Sequence, residues 1–368
     1  MRVFFSTGEA SGELLATDLL GAMRARSGPI DAEGIGDDRM EHAGVRLWQR
    51  TRGWASLGPI DALRKIPRLL AIMWRTAIHL RLHPPDLVVL VDFGAFNVRL
   101  AKTLRGLGSR VPIVYYFPPA AWLDDAKRAR VVAAVSTALT AFTHQRDFYQ
   151  RLGLPIGYAG HPLVSTIPKR VPRPPAAQGG GTIALLPGSR RGEIARHTPL
   201  LLDAFALVRA QRPGVRGILV AIDDEAVRAF ELALSLRSAQ DVRIVRSARE
   251  AFVEADAAAV ASGTAVLEAV LVGVPTVAFY VLSQAQAKIA RRVYKGRYIA
   301  LPNLVLDAPV VPELLQEAAT PQALAATLER LLVQPQAQLA LFDEVRARLG
   351  TPDALDRCAQ FVLDAAAR

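Results

Sequence analysis

The chain has 368 residues, of which 51% are hydrophobic and 21% charged, as in a globular protein rather than a disordered one. This length allows two domains, each with its own core. The single cysteine, Cys358, excludes a disulfide framework and a cysteine-rich metal site, and is typical of a reducing compartment. The N-terminal apolar run is too short for a signal peptide, and no apolar stretch is long enough to predict a membrane span.

The net charge of +11, from 45 basic and 34 acidic residues, predicts an anionic partner. Aromatic content is low, and the chain has neither a stacking-aromatic motif nor zinc-finger spacing, which argues against nucleic acid. No cluster of His, Asp and Glu has metal-ligand spacing, so we expect no metal and no cofactor. The predicted partners are therefore phosphorylated substrates and an anionic membrane surface. The sequence leaves open whether the protein forms a homodimer.

The first predicted element is a strand at Val3–Ser6, followed by a glycine-rich turn that enters a helix. The turn lacks the G-x-G-x-x-G pattern, so it is not a dinucleotide fingerprint. Its two glycines allow a ligand to approach the backbone closely. The candidates for a sugar contact in this turn are Glu9, Ser11 and Glu13.

Residues 61–83 predict a basic, amphipathic helix. Its apolar residues recur at three- and four-residue spacing: Ile66, Leu69, Leu70, Met73, Ala77 and Leu80. Its basic rim consists of Arg64, Lys65, Arg68, Arg75, His79 and Arg81. Such a helix suits a membrane surface or an acylated ligand, with Leu69, Met73 and Trp74 facing the membrane. The alternative is a buried helix whose arginines extend outward to solvent.

The next strong strand, Leu87–Asp92, ends in a carboxylate. Ligands bind at the carboxyl ends of parallel strands, so Asp92 is placed where it could take a proton from an attacking hydroxyl. The alternative is that Asp92 caps the following helix.

A strand-like run at Val111–Tyr116 and a weaker one around Leu139–Phe142 follow, and the sequence Gly160-His161-Pro162 closes the first half. His161 is either a structural residue or a neutral hydrogen-bonding partner of a substrate. Prolines and glycines in residues 168–181 predict a linker. Short apolar runs then alternate with helical ones again, as expected of parallel strands buried on both faces. We therefore predict two doubly wound α/β domains, with ligands bound in the cleft between them.

Two turns in the second half suit a diphosphate. In LLPGSRRGEI, Gly188 and Ser189 form a tight turn before a helix, and Arg190 is a planar cation suited to phosphate.

The second turn is in ASGTAVLE, where Ser262, Gly263 and Thr264 stand between a strand and a helix. Glu268, one turn further along, could accept hydrogen bonds from a ribose. The alternative is an ordinary helix capped by Ser or Thr. In a later loop, Asn303 has donor and acceptor groups for a nucleotide, although asparagine is also common in turns.

Together these segments resemble the lipid-A-disaccharide synthase family, whose members are glycosyltransferases with two Rossmann-like domains facing a cleft, the GT-B fold. The matching stretches follow the family's order: GEASGE (8–13), GIGDDRM (34–40), VDFGAFN (91–97), VYYFPPAAW (114–122), GYAGHPL (157–163), LLPGSRRGEI (185–194), ASGTAVLE (261–268) and LPNLVL…VPELLQ (301–316). They cover almost the whole chain.

The resemblance implies transfer of 2,3-diacylglucosamine from its UDP derivative to the 6-hydroxyl of 2,3-diacylglucosamine 1-phosphate, with inversion and release of UDP. It implies that Asp92 is the base. The implied UDP site consists of Gly188, Ser189, Arg190, Ser262, Gly263, Thr264, Glu268 and Asn303. The implied acceptor or sugar site consists of Glu9, Ser11, Glu13, Trp122 and His161.

The resemblance also implies a place and a layout for the protein. Residues 61–83 match the region by which such enzymes meet the membrane, so we expect a cytoplasmic protein bound to the inner face of the cytoplasmic membrane. The expected domains are 1–167 for the acceptor and 182–345 for the UDP-sugar, joined by the linker 168–181. The segment 346–368 is expected to be a C-terminal helix that packs back on the first domain.

Three departures from the family lie on the acceptor side: Glu13 replaces an Asp, residues 118–124 lack a Gln and a Trp, and residues 141–143 replace Pro-Phe-Glu. They leave three alternatives: a paralogue with another glycolipid acceptor, a UDP-N-acetylglucosamine 2-epimerase, and a non-catalytic UDP-sugar-binding protein. An epimerase would not need the basic amphipathic helix, and retention of Asp92 argues against loss of catalysis.

Overall fold

The computed structural model describes residues 1–52, 54, 59–119, 124–171, 179–237, 241–294 and 296–367, with the backbone alone at 59–63, 289–291 and 293. These residues form two compact units. The first contains the described residues up to 54, Ile60–Thr166 and the chain from Leu349 onward, and the second contains Ile167–Arg348.

The first unit is built on a seven-stranded parallel sheet. Its strands are β1 (Arg2–Ser6), β2 (Asp31–Gly36), β3 (Val45–Arg50), β4 (Leu87–Val91), β5 (Ile113–Tyr116), β6 (Thr137–Thr140) and β7 (Gly157–Tyr158). Its helices are α1 (Ala10–Ser27), α2 (Asp38–His42), α3 (Pro59–Leu82), α4 (Gly94–Gly106), α5 (Ala126–Val135), α6 (Thr143–Arg151), α7 (Leu163–Thr166) and α16 (Ala354–Ala366). All five residues of β4 are buried because helices cover both faces of the sheet.

The strand order in this sheet is β3-β2-β1-β4-β5-β6-β7, which reverses direction at β1. Because β1 pairs in parallel with β4, Ser6 at the end of β1 lies beside Leu90 near the end of β4. In a doubly wound sheet the loops leave such a point in opposite directions and open a ligand-binding crevice at the carboxyl edge. The turns after Ser6 and after Val91 therefore lie at the position where this kind of sheet binds ligands.

The second unit repeats this arrangement with six parallel strands in the order β10-β9-β8-β11-β12-β13. The strands are β8 (Gly180–Leu186), β9 (Gly214–Val220), β10 (Val242–Val245), β11 (Ala257–Ala261), β12 (Thr276–Tyr280) and β13 (Glu313–Leu315). The helices are α8 (Arg191–Gln211), α9 (Asp224–Leu236), α10 (Ala248–Glu254), α11 (Thr264–Val272), α12 (Gln284–Val293), α13 (Leu301–Leu306), α14 (Pro321–Val333) and α15 (Gln336–Leu349). Because β8 pairs with β11, the turns that follow these two strands are neighbours.

The C-terminal segment belongs to the first unit. Cys358, Ala359 and Val362 of α16 lie in the core of this unit with residues of β1 and α1. The ring of Phe361 lies so close to Gly157 that a Cβ there would be 2.3 Å from it. Residues 346–349 instead end α15, so the segment 346–368 is not the single helix that the sequence predicted.

The first residues of the predicted linker, 168–171, contact the second unit. The backbone N–H of Arg170 donates to the Val272 carbonyl, and its guanidinium donates to the Phe252 carbonyl at 3.1 Å. Residues 168–171 are therefore attached to the second unit, and β8 begins at Gly180, inside the predicted linker.

Helix α3 presents two apolar stripes, and the residues predicted to face the membrane come from both: Trp74 is exposed, whereas Leu69 and Met73 lie on the inner stripe. Ile72, Met73, Ala77 and Leu80 are buried against the sheet, and Leu69 is half-buried against the same core. Met73 is only 4% exposed, so the prediction that it faces a membrane is wrong. The outward stripe runs at four-residue spacing through Ile66, Leu70, Trp74, Ile78 and Leu82. Among the described residues, no helix combines the length and the apolar character needed to cross a bilayer.

Candidate functional site

Two loops meet at the carboxyl edge of the first sheet. A Cβ on Gly8, in the loop after β1, would lie 2.2 Å from the ring of Phe93, so only glycine allows this contact. Gly94 is similarly close to Pro119. Glu9 is exposed at the N-cap of α1 and Ser11 is half-buried in its first turn. Both side chains therefore stay close to this edge, as a sugar contact requires.

Asp92 follows β4 directly and is exposed at this edge. Its φ is 45° and that of Phe93 is 47°, so two consecutive non-glycine residues are left-handed. Each such residue costs roughly 1–3 kcal/mol, and strain of this kind concentrates at functional sites. The N-cap of α4 is Phe93, with no side-chain capping bond, so the alternative that Asp92 caps the helix is wrong.

Three buried side chains hold this strained turn. The amide of Asn97 donates to the Asp92 carbonyl at 3.0 Å, and the Tyr115 hydroxyl donates to the same carbonyl at 2.9 Å. The Ser6 hydroxyl donates to Asn97 Oδ1 at 2.6 Å. Sequence reasoning did not identify these residues as functional. Only Asn97 could have been found, because it ends the stretch VDFGAFN, which matches the family.

Glu13 lies beneath this edge rather than on it. Its side chain is 5% exposed, and burial, reinforced by the nearby carboxylate of Asp37, raises its pKa from 4.5 to about 7. Backbone N–H groups of Asp37 and Met40 offset only part of this rise. A buried carboxylate that faces the N-terminal backbone of α2 is not placed to contact a sugar directly, so its predicted role is corrected to a structural one.

Burial of Glu13 predicts a pH-dependent contribution to stability. A carboxyl whose folded pKa lies above its unfolded value stabilises the fold fully below about pH 4.5, and this stabilisation is lost as the pH rises through about 7. Relative to Glu13→Gln, the free energy of unfolding of the wild type should fall by on the order of 3 kcal/mol across this window. Urea unfolding at closely spaced pH values measures the difference; parallel pH curves for the two proteins would contradict the prediction.

His161 is also a structural residue. It is buried, and burial lowers its pKa to about 3, so the ring is neutral. Its Nδ1 accepts a hydrogen bond from the Leu163 backbone N–H, and the rings of Phe117 and Phe142 pack around it. The predicted sugar contact is therefore not supported by its position.

The loop that departs most from the family is only partly described. Trp122, predicted on the acceptor side, lies outside the described residues. Before it, the carbonyl of Pro118 accepts a hydrogen bond from the buried Gln145 side chain at 3.0 Å, and Pro119 lies against Gly94. Gln145, which sequence reasoning did not select, thus fixes the start of this loop beside the edge that carries Asp92.

In the second unit, the turn after β8 is organised by Glu193 of α8. Its carboxylate accepts hydrogen bonds from the backbone N–H groups of Ser189 and Arg190, from Arg190 Nη1 at 2.9 Å and from the Tyr280 hydroxyl at 2.5 Å. Burial by itself would raise the pKa of Glu193, but these donors outweigh it and lower the pKa. A Cβ on Gly188, whose φ is 108°, would lie 2.4 Å from this carboxylate, so the turn requires glycine.

This arrangement changes the predicted roles in the turn. The N–H groups of Ser189 and Arg190 already bind Glu193, so an incoming phosphate would meet the Arg190 guanidinium rather than the backbone of the turn. The guanidinium is half-exposed, and it donates to the Glu193 carboxylate and, at 3.4 Å, to the Tyr280 hydroxyl. Sequence reasoning missed Glu193 and Tyr280, which lie 87 residues apart in the chain.

The neighbouring turn after β11 leads into α11. Its N-cap is Gly263, with no side-chain capping bond, so the alternative in which Ser262 or Thr264 caps the helix is wrong. A Cβ on Gly263 would meet nothing nearer than the Ala261 carbonyl oxygen at 4.0 Å, which leaves room beside the turn. The helix N-terminus therefore provides N–H groups and positive dipole, which suit an anion.

Glu268 and Asn303 differ in accessibility. Glu268 is partly buried one turn into α11, with Arg249 Nε 4.0 Å from its carboxylate. Asn303 is 1% exposed. Its side-chain amide accepts a hydrogen bond from the Val311 N–H and donates to the Val311 carbonyl and to Glu313. Asn303 thus holds its own loop together, and direct contact with a nucleotide stays a prediction that its burial does not favour.

Comparison with known proteins covers nearly the whole chain. The family model described as lipid-A-disaccharide synthetase matches residues 3–349. The lipid-A-disaccharide synthase of Pseudomonas aeruginosa (strain UCBPP-PA14) is 35% identical over 374 residues, covering 99% of this chain and 97% of that protein. The lipid-A-disaccharide synthase of Myxococcus xanthus (strain DK1622) is 35% identical over 381 residues, with the same shares covered.

Solved structures with the same fold are more distant in sequence. The UDP-GlcNAc 2-epimerase of Neisseria meningitidis, bound to UDP-GlcNAc, has a TM-score of 0.64 at 10% identity and covers 99% of this chain and 100% of its own. A UDP-forming trehalose-phosphate synthase of Burkholderia xenovorans has a TM-score of 0.53 at 14% identity, with 100% and 98% covered. At these identities the likeness establishes the fold, which is GT-B, and nothing further.

Proposed function

The chain belongs to the lipid-A-disaccharide synthetase family, and we propose that it transfers 2,3-diacylglucosamine from UDP-2,3-diacylglucosamine to the 6-hydroxyl of 2,3-diacylglucosamine 1-phosphate. The products are the lipid A disaccharide and UDP. The observation that carries this proposal is the family match across residues 3–349, which spans both compact units.

On the donor side, the leaving group is a diphosphate whose negative charge grows as the bond to the sugar breaks. Arg190 is a planar cation held in place by Glu193, and the uncapped N-terminus of α11 lies on the neighbouring turn. Fixed positive groups aimed at developing charge lower the barrier because they need no reorganisation during the reaction. Glu268, one turn into α11, remains the candidate to accept hydrogen bonds from the ribose.

On the acceptor side, the 6-hydroxyl must lose its proton as it attacks the anomeric carbon. Asp92 is an exposed carboxylate on a rigid turn at the ligand-binding edge of its sheet. It takes the proton as the new glycosidic bond forms and the bond to the diphosphate breaks. A single displacement of this kind inverts the configuration at the anomeric carbon.

Both proposed substrates carry acyl chains, so we also propose that α3 places the enzyme on the inner face of the cytoplasmic membrane. The outward stripe of α3, Ile66, Leu70, Trp74, Ile78 and Leu82, leaves five large apolar side chains exposed on one face. Basic side chains flank it, among them Arg68 and Arg75. Apolar insertion combined with attraction to anionic lipids is the pattern of an interfacial helix.

The membrane proposal predicts that the triple variant Leu70→Ser, Trp74→Ser and Ile78→Ser binds anionic vesicles at least about 10-fold more weakly, because each buried apolar side chain contributes roughly 1.5–3 kcal/mol. Co-sedimentation with vesicles of phosphatidylethanolamine and phosphatidylglycerol measures the partition. The matched control is Leu232→Ser with Leu236→Ser, which removes exposed leucines from α9 in the other unit. Equal loss in both variants would refute a specific role for α3.

The reaction itself is tested by incubating purified protein with the UDP donor and the 1-phosphate acceptor and identifying products by mass spectrometry. We expect equimolar disaccharide and UDP. UDP formed only with an acceptor from a membrane-lipid extract would favour the paralogue. A UDP-sugar epimerised without an acceptor would favour the epimerase, and donor binding without turnover would favour the non-catalytic protein.

A further inference from the structure

We propose that Asn97 is a positioning residue for Asp92, holding the backbone of the base-bearing turn through its buried side-chain amide. This inference rests on the proposed function, in which Asp92 takes the proton from the acceptor hydroxyl. Asn97 lies in the first turns of α4, the helix that follows Asp92, and its side chain turns back beneath the turn that precedes the helix.

The hydrogen bonds of Asn97 join the two strands that meet at the switch point of the sheet. Its Nδ2 lies 3.2 Å from the carbonyl oxygen of Ser6, at the end of β1, and 3.3 Å from that of Val91, at the end of β4. The third acceptor is the Asp92 carbonyl at 3.0 Å. One amide group thus ties the turn of the base to the ends of both strands.

The chemistry of the site requires an amide in one orientation. The three backbone oxygens can only accept hydrogen bonds, so the group that faces them must donate. The Ser6 hydroxyl donates to Asn97 Oδ1 at 2.6 Å and thereby fixes which end of the amide faces the carbonyls. A carboxylate of the same shape would instead direct negative charge at three carbonyl oxygens.

Such a clamp is needed because Asp92 and Phe93 are both left-handed, a conformation that non-glycine residues leave unless their surroundings hold them. The Tyr115 hydroxyl, from β5, supports the same carbonyl from another direction. Together these hydrogen bonds fix the backbone of Asp92 and thereby the position of its carboxylate. Asn97 therefore acts on the reaction through Asp92 and without touching a substrate.

The decisive variant is Asn97→Asp, which keeps the shape and removes the donor. We expect its kcat for disaccharide formation to fall about 10- to 100-fold, with KM changed less than about threefold, because a displacement of about 1 Å can cost that much in rate. As the pH is lowered, protonation of the introduced carboxyl restores one donor, so the ratio of variant to wild-type kcat should rise. In a crystal structure of the variant, φ of Asp92 should leave the left-handed region.

A matched control is Arg24→Met. Arg24 also donates to three backbone carbonyls of the first unit, those of Ile30, Ala43 and Gly44, but it does so at the amino edge of the sheet. We expect this variant to lose stability and to keep its kcat. Should Asn97→Asp fail to fold, Tyr115→Phe decides, since it removes one hydroxyl from the same clamp and should lower kcat severalfold.

The outcomes separate the two levels of the proposal. A wild-type protein that forms no disaccharide refutes the proposed function and, with it, the role of Asn97. An active wild type whose Asn97→Asp variant is no slower than Arg24→Met, or shows a kcat ratio independent of pH, refutes the positioning role alone.

Discussion

Asp92→Asn is expected to lower kcat for disaccharide formation by about two to four orders of magnitude, the range that a positioned general base contributes. Asparagine is the informative replacement because it tolerates a left-handed φ better than alanine does. The turn, whose φ at this position is 45°, is then kept while the basic oxygen is lost. KM for both substrates should change less than about threefold, since the carboxylate accepts the proton during the reaction and does not contribute to substrate binding.

The matched control for this variant is Asp86→Asn, the same exchange immediately before β4, at the opposite end of the strand. Asp86 accepts a hydrogen bond from the backbone N–H of Arg2 at 2.7 Å and lies away from the carboxyl edge. Initial rates from UDP release, with the disaccharide confirmed by mass spectrometry, measure both variants. An Asp92→Asn enzyme within twofold of the wild type would remove Asp92 from the mechanism.

Arg190→Ala is expected to lower kcat/KM for the UDP donor by about 10²–10³-fold, the cost of removing one preorganised group that stabilises developing charge. Glu193 keeps three of its donors in this variant, two backbone N–H groups and the Tyr280 hydroxyl, so the turn should persist. Because the diphosphate gains charge as it leaves, kcat should fall as well as the affinity for UDP.

The adjacent residue offers the control. Arg191 carries the same charge, but its side chain is 72% exposed and pairs with Glu225 of α9. Arg191→Ala should therefore leave donor kinetics within about twofold, since an exposed pair contributes little. Steady-state kinetics and calorimetric titration with UDP distinguish the two arginines. Equal losses would mean that the effect is long-range electrostatic attraction, and Arg190 would lose its assigned place in the donor site.

The sequence by itself determined the architecture and the carboxyl ends of the strands that carry the candidate site. Short apolar runs separated by helical segments predict parallel strands buried on both faces. Both sheets are parallel, and their central strands β4 and β11 are buried at every residue. A polar residue that directly follows such a run must lie at the carboxyl edge. Asp92 and the turn before Arg190 can therefore be identified from the sequence, because strand direction and residue order are local properties.

Tertiary structure alone decided which face of a helix is inside and which polar groups are already satisfied. Helix α3 has two apolar stripes, and only its packing on the sheet buries Met73 and leaves Ile78 outside. Glu193 is bound by Tyr280, 87 residues away, and Asn97 by Ser6, 91 residues away. No local sequence pattern predicts such hydrogen-bond partners, because burial and hydrogen bonding depend on which distant segments the fold brings together. The sequence thus identified the base at the strand end, and the tertiary structure decided what holds it there.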